Sequence, residues 1–218
     1  MLAAVERPKL DTTANHSFDG KIGIWSLITK EPARCSGHNQ SAGTIVTKAI
    51  TSVTANVYRG FLIDNFLPDI QDNWPWYRHH TPIKIQQDNA RPHVPPNDPA
   101  FVAYIQATGL YIRLLFQSSN RNDINLLDIR FFKSLQCLQH TRSPSNIDKQ
   151  ITVFQESFQQ VQSNKLNNNF LTLQKVMELC IIREVNNDYK LPHINKTKLD
   201  RGGLLPVSIK CSEQLLNV

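Results

Sequence analysis

The sequence predicts an α/β fold, and three observations carry that expectation. β-type runs recur at Lys21-Ile22-Gly23-Ile24-Trp25-Ser26-Leu27-Ile28, Ile83-Lys84-Ile85 and Leu110-Tyr111-Ile112-Arg113-Leu114-Leu115-Phe116. Between them lie stretches of helical apolar spacing: Val57, Tyr58, Phe61, Leu62, Phe66 and Ile70 in one, Phe101 and Ile105 in another. Two more stripes follow, Ile147, Ile151, Phe154, Phe158 and Val161, then Phe170, Leu173, Met177, Cys180 and Ile181. Strand runs interleaved with amphipathic helices bury their apolar sides as a sheet covered by helices.

Taken in order, residues 1–6 read as an edge strand and residues 9–18 as a polar excursion. Asp19-Gly20 is a favourable type I′ turn pair leading into the run from Lys21. Residues 31–42, with Pro32 and Gly37, read as loop, and Ile45 and Val46 open another extended segment. Thr54 is placed to cap the first helix and Pro75 to stop it. Ile83-Lys84-Ile85 then delivers Asp88 to a strand's C-terminal edge, where open sheets hold ligands. Asp98 before Pro99 is a cap followed by a first-turn proline, and Gly109 closes that helix. After a loop over residues 117–124, Asn125 caps a helix carrying Asp128 in its first turn. Ser145-Asn146-Ile147-Asp148 is a capping-box pattern, and the two helices after it are expected to pack as a hairpin across the sheet.

Composition narrows the class. A chain of 218 residues with 40% hydrophobic content is long enough for a sizeable core. The formal net charge of +6 suits a polyanionic partner. Cys35, Cys137, Cys180 and Cys211 form no C-x-x-C pair, so they read as reduced thiols and not as a zinc or redox site. No apolar run approaches the roughly 18 residues needed to span a bilayer.

Asp88, at a strand end, and Asp128, in the first turn of a helix, are the residues with the clearest chemistry. Divalent cations such as Mg²⁺ take hard oxygen ligands, and a pair of ions can clamp the attacking and leaving oxygens of a phosphodiester. Each acid also has a plainer role. Asp88 with Asn89 can close an Asx turn, and Asp128 can satisfy a free amide at its helix start. Gln86 and Gln87 point to an open, wet strand edge. Arg91 and His93 read either as phosphate-facing donors or as a solvated turn exit.

The segments Phe18-Asp19-Gly20-Lys21-Ile22-Gly23-Ile24-Trp25, Gly43-Thr44-Ile45-Val46-Thr47-Lys48, Gln86-Gln87-Asp88-Asn89-Ala90-Arg91-Pro92-His93 and residues 120–128 form an ordered set, with 39 residues between Asp88 and Asp128. This set resembles the transposases of plant-type mariner elements. The likeness continues through Asn187-Asp188-Tyr189-Lys190-Leu191-Pro192-His193 and Gly202-Gly203-Leu204-Leu205-Pro206, and so covers nearly the whole chain.

The resemblance implies an incomplete ribonuclease-H-like mixed sheet flanked by helices. A partial catalytic core without its first strand is expected over residues 1–140, with C-terminal helices and a basic tail over residues 141–218. Three metal-binding Asp residues characterise the family; Asp88 matches the second and Asp128 the third, while the first is expected upstream of Met1-Leu2-Ala3-Ala4-Val5. Mg²⁺ or Mn²⁺ is the implied cofactor, held weakly or not at all by this chain. Asn89 is expected to orient Asp88 or to touch DNA, with Arg91, His93 and Asn125 in supporting positions. Asp11, Asp19 and Asp64 are the available substitutes for the first carboxylate, each in an unfavourable setting.

The implied parent activity is metal-dependent DNA strand cleavage and transfer, expected to be absent from this chain alone. The alternative is a non-catalytic nucleic-acid-binding or regulatory module derived from a transposase. DNA is the implied partner, bound mainly without sequence preference because no groove-reading helix-turn-helix module is expected in the chain. A homodimer is the second partner considered, no membrane is implied, and the implied location is the nucleus, with the cytoplasm as alternative. One departure stands out: the family's proline-rich Asn-Ser-Pro-Asp-Leu-Asn approach is replaced by Ser118, Ser119, Asn120, Arg121, Asn122, Asp123, Ile124 and Asn125. Losing prolines widens the local ensemble and puts the placement of Asp128 in question, with Asp123 expected to fix the loop.

Overall fold

The computed structural model describes residues 1–11, 16–37, 41–74, 82–118, 121–140, 142–182, 195–206, 208–210 and 212. Pro75, Ser119, Asn120, Cys211 and the segment from Asn187 to His193 lie outside the described residues. The strands form four two-stranded ribbons. β1 (Leu2–Val5) is followed by β2 (Lys9–Asp11), β3 (His16–Phe18) and β4 (Lys21–Trp25). β1 pairs antiparallel with β4, whereas β2 pairs antiparallel with β3, so the expected polar excursion is a small hairpin inserted between the two partners.

The Asp19-Gly20 turn differs from expectation. Gly20 has φ +90°, but Asp19 is not in the left-handed region, as a type I′ turn would require of both residues. Asp19 instead accepts from the Lys21 amide at 2.9 Å, closing an Asx turn. Glycine is demanded here twice over, because a Cβ at position 20 would lie 2.5 Å from the Glu6 carbonyl oxygen and 2.7 Å from a Leu166 methyl. The long run from Lys21 also breaks, with β5 (Ile28–Pro32) turning away to pair antiparallel with β6 (Ile45–Ala49).

Thr54 caps α1 (Ala55–Phe61), accepting from the Val57 amide at 3.3 Å. A π-helical turn (Leu62–Phe66) joins it to α2 (Leu67–Asn73). Then come β7 (Ile83–Gln87), α3 (Pro99–Thr108) and β8 (Ile112–Phe116), and the two strands pair in parallel, as a crossover helix requires. A second π-helical turn (Leu127–Phe131) leads into α4 (Phe132–His140), followed by α5 (Ile147–Gln160), α6 (Ser163–Ile182) and α7 (Lys196–Arg201). The α5 cap is Asn146, accepting from the Lys149 amide at 2.8 Å, one residue later than the capping-box pattern suggests. α5 packs on α4 and α6 on the Leu127–Phe131 turn, and Phe158 of α5 shares one buried cluster with Leu166, Phe170 and Leu173 of α6. No helix among the described residues is long and apolar enough to cross a membrane.

Two apolar clusters define the layers. Ile22, Ile83, Ile112 and Leu114 meet Tyr58, Leu62, Leu67, Ile70 and Phe101 of α1 to α3 in the first. Leu126, Phe131, Leu135, Phe158, Val161 and Leu166 form the second, drawing on both sides of position 140. β1 lies between them: Leu2 and Ala4 pack against the first cluster, Ala3 and Val5 against the second. Alternate residues of a strand point to opposite faces, so β1 is covered on both, unlike a strand with one wet side.

α3 is anchored by a charge. Asp98 is 2% exposed, accepts from the Phe101 amide at 3.2 Å, and pairs with Arg59 at 2.7 Å. The Arg59 hydrogen bonds hold its carboxyl below the usual range; burial opposes that, and the Phe101 amide adds to it. A lowered folded-state pKa means stability that is present above the unfolded carboxylate range and lost as pH falls through the folded value. Asp98→Ala is therefore expected to cost about 2 kcal/mol at neutral pH, the upper end of a cap loss because the ion pair goes too. Urea unfolding at neutral and acid pH checks this: the gap between variant and parent should narrow in acid, and a constant gap would remove the electrostatic account.

Candidate metal and phosphoryl-transfer site

Parallel pairing of β7 with β8 places both C-terminal ends together, and Asp88 is the first residue beyond β7. Asn89 staples those ends, its side-chain amide donating to the Gln117 carbonyl at 2.9 Å, while the Gln117 amide donates to the Gln87 carbonyl at 2.8 Å. Asp88 Oδ1 accepts from the Ala90 amide at 2.8 Å, so the Asx turn is present. His93 Nδ1 lies 2.8 Å from both the main-chain oxygen and Oδ1 of Asp88. The carboxylate is thus held by a backbone amide and an imidazole nitrogen. Arg91 is exposed on the turn that follows.

Asp128 reaches the same place from the other layer. Its helical segment starts at Leu126, and Asn125 caps it by accepting from the Leu127 amide at 3.1 Å. The same Asn125 side chain donates to Asp128 Oδ2 at 2.8 Å, which fixes one carboxylate oxygen. Upstream, Asp123 sits on a short 3₁₀ turn (Asn122–Ile124), 3.1 Å from the Arg121 guanidinium, and accepts from the Cys180 thiol at 3.3 Å. Gln117 adds a side-chain bond to the Arg121 carbonyl. These ties link the loop to the β8 end and to α6 without the prolines.

Both acids line one cavity of about 440 Å³. Burial raises the Asp128 carboxyl above the usual range, and the negative charge of Asp88 raises it further. A carboxyl raised by a neighbouring negative charge makes a site whose charge a cation would relieve. The oxygen donors suit a hard divalent ion. Among the described residues no group of three or more His, Cys, Asp or Glu side chains gathers as a metal site. Asp64 is exposed on the first π-helical turn and Asp19 pairs with Lys21 at 3.0 Å; neither lines this cavity. The Asp11 side chain lies outside the described residues.

Two supporting residues had no signal in the sequence. Tyr58, from the apolar stripe of α1, stacks on the His93 ring at 4.4 Å between centroids and donates from its hydroxyl to Gln87 Oε1 at 3.0 Å. Gln87 in turn donates to the Val94 carbonyl at 2.7 Å. Burial raises the Tyr58 hydroxyl's pKa, with Asp88 adding to the effect, so the phenol stays a donor. The strand edge is accordingly wet at one residue only. Gln86 is exposed, while Gln87 is 6% exposed, because its amide satisfies the turn that carries His93.

No family model matches the chain, and no curated protein sequence matches it. Among solved structures, the chain is similar to the crystal structure of the catalytic domain of the Mos1 mariner transposase, at a TM-score of 0.54 and 16% identity, covering 67% of this chain and 70% of that one. That likeness shows the fold, a mixed α/β architecture similar to that of the Mos1 catalytic domain.

Proposed function

We propose that this chain derives from the catalytic domain of a mariner-type DNA transposase, and that Asp88 and Asp128 are two carboxylates of its divalent-cation site. The observation that carries this reading is their convergence on one cavity, from a strand end and a helix start, with Asp88 raising the Asp128 carboxyl. The fold shared with a transposase catalytic domain supports it. Mg²⁺ or Mn²⁺ held there would supply Lewis-acid polarisation of a phosphodiester and activation of a hydroxyl. His93 and the Ala90 amide orient Asp88; Asn125 orients Asp128; Tyr58 and Gln87 brace the turn from below. Arg91, exposed beside Asp88, is a phosphate donor in this reading.

With two carboxylates gathered, the chain by itself does not cleave or join DNA in this reading. Its contact with DNA is electrostatic, drawn by the net charge of +6, and its place of action is the nucleus. The engagement of Asp88 with its own turn favours one second reading, a non-catalytic DNA-binding or regulatory module.

Incubation with a labelled element-end duplex and Mn²⁺ tests the proposal, together with a binding series on terminal-repeat and scrambled duplexes. The expected result is no nick above an Asp88→Ala control, equal affinity for both duplexes, and binding that collapses between about 50 and 200 mM salt. Cleavage dependent on Asp88 and Asp128 would overturn the inactivity. A strong preference for the terminal repeat would overturn non-specific binding.

A further inference from the structure

One face of the β7–β8 ribbon is open to solvent. The parallel register sets Lys84 opposite Arg113 and Gln86 opposite Leu115, and the Ile83 amide extends the ladder by donating to the Tyr111 carbonyl at 2.8 Å. Side chains alternate along a strand, so these four residues share a face with Tyr111, while Ile83, Ile85, Ile112 and Leu114 turn to the first cluster. All five are exposed, Tyr111 at 46% and Leu115 at 43%.

Like charges directly opposite on neighbouring strands repel and weaken a sheet. Lys84 and Arg113 are such a pair, and among the described residues neither forms an ion pair with an acid. Arg113 is also held in place: its guanidinium lies 5.5 Å from the centroid of the Tyr111 ring and donates to the Tyr111 hydroxyl at 3.0 Å. The face therefore offers two adjacent cations, an exposed aromatic ring fixed beside one of them, and an exposed leucine. An acidic peptide would meet the cations but bring nothing flat to the ring. A duplex would meet them with its phosphates but keeps its bases stacked inside. Single-stranded nucleic acid supplies both, phosphates along its backbone and unstacked bases that lie on aromatic and apolar side chains.

We propose that the face formed by Lys84, Tyr111, Arg113 and Leu115 binds single-stranded nucleic acid, with phosphates on the two cations, one base stacked on Tyr111 and a neighbouring base lying on Leu115. This goes beyond the general attraction of a positive chain, because it assigns the contact to one surface and gives it a preference for unpaired bases. Asp88 marks its limit: it follows on the same strand roughly 13 Å from Lys84, and its charge turns phosphates away from that end. The interaction needs neither a metal nor the pairing of Asp88 with Asp128, so it stands or falls separately from the proposed transposase descent.

The test is fluorescence anisotropy on the purified chain in EDTA, with a labelled oligothymidylate of about 12 nucleotides, alone or annealed to oligoadenylate. Saturable binding that favours the single strand is expected. Tyr111→Ala should weaken it at least about fivefold, the lower end for losing one stacked base, whereas Tyr111→Phe keeps the ring and should bind like the parent. Lys84→Gln should reduce the salt slope by about 0.7, one single-strand phosphate contact, and Lys30→Gln, an exposed lysine on β5, should leave it unchanged. Thermal melting confirms that each variant is folded. Tighter binding of the duplex, equal affinity of Tyr111→Ala and parent, or an equal loss of slope for Lys30→Gln would each reduce the contact to diffuse charge and overturn the proposal. Displacement of the oligonucleotide by polyglutamate at equal charge concentration would overturn it in favour of an acidic polypeptide.

Discussion

Asp88→Asn is expected to weaken Mn²⁺ binding by at least about tenfold and to bring the Asp128 carboxyl down toward its ordinary range. Both effects have one origin. Asn would offer an ion a neutral oxygen in place of a charge, and it removes the negative field that raises Asp128. Burial remains, and burial is the larger cause, so Asp128 should stay somewhat elevated. The pH dependence follows in sign: a raised carboxyl keeps its proton to higher pH, so metal affinity in the parent should climb as pH rises through that range. In the variant the climb should start at lower pH. Calorimetric titration gives the affinity and carbon-detected NMR of the Asp128 carboxyl gives the titration. Unchanged Mn²⁺ affinity, or an Asp128 titration indifferent to Asp88, would break the pairing of these acids.

Phe131→Ala should cost about 3–5 kcal/mol, the range for truncating a buried aromatic. Phe131 is fully buried and meets Phe132 and Phe158 edge-on, each with ring centroids 6.0 Å apart. It lies in the same π-helical turn as Asp128, so its packing onto α5 holds the turn that carries Asp128 in place. Urea unfolding reads the loss, with Phe116→Ala as control. Phe116 is 43% exposed, and its truncation should stay within about 0.5 kcal/mol. A loss below about 1 kcal/mol for Phe131 would mean that the second cluster relaxes around the void.

The resemblance in the sequence and the fold agree at the level of architecture, and the reason lies in how far each signal reaches. Thr54 and Asp98 are caps whose partners stand three residues away, so residue type and position suffice to recognise them. The placement of Asp88 beyond a strand and of Asp128 at a helix start is of the same kind. Ser145 against Asn146 marks the limit of such reading, since adjacent residues compete for one cap and packing chooses between them. The hairpin at residues 9–18, the break after Trp25 and the burial of Gln87 had no local signature. Each depends on a partner brought near by the rest of the chain.

Asp88 and Asp128 were legible as chemistry in the chain; their meeting was implied only by the resemblance and by no local pattern, because 39 intervening residues and two layers separate them. Tertiary structure put them in one cavity, where burial and mutual repulsion raise Asp128, and it chose the His93, Asn125 and Tyr58 that hold them. It also decided that β1, which reads as an edge strand, is covered on both faces. Local periodicity and capping follow from steric and hydrogen-bonding preferences within a few residues. Strand pairing and carboxylate pairing follow from distances that only the packed layers set.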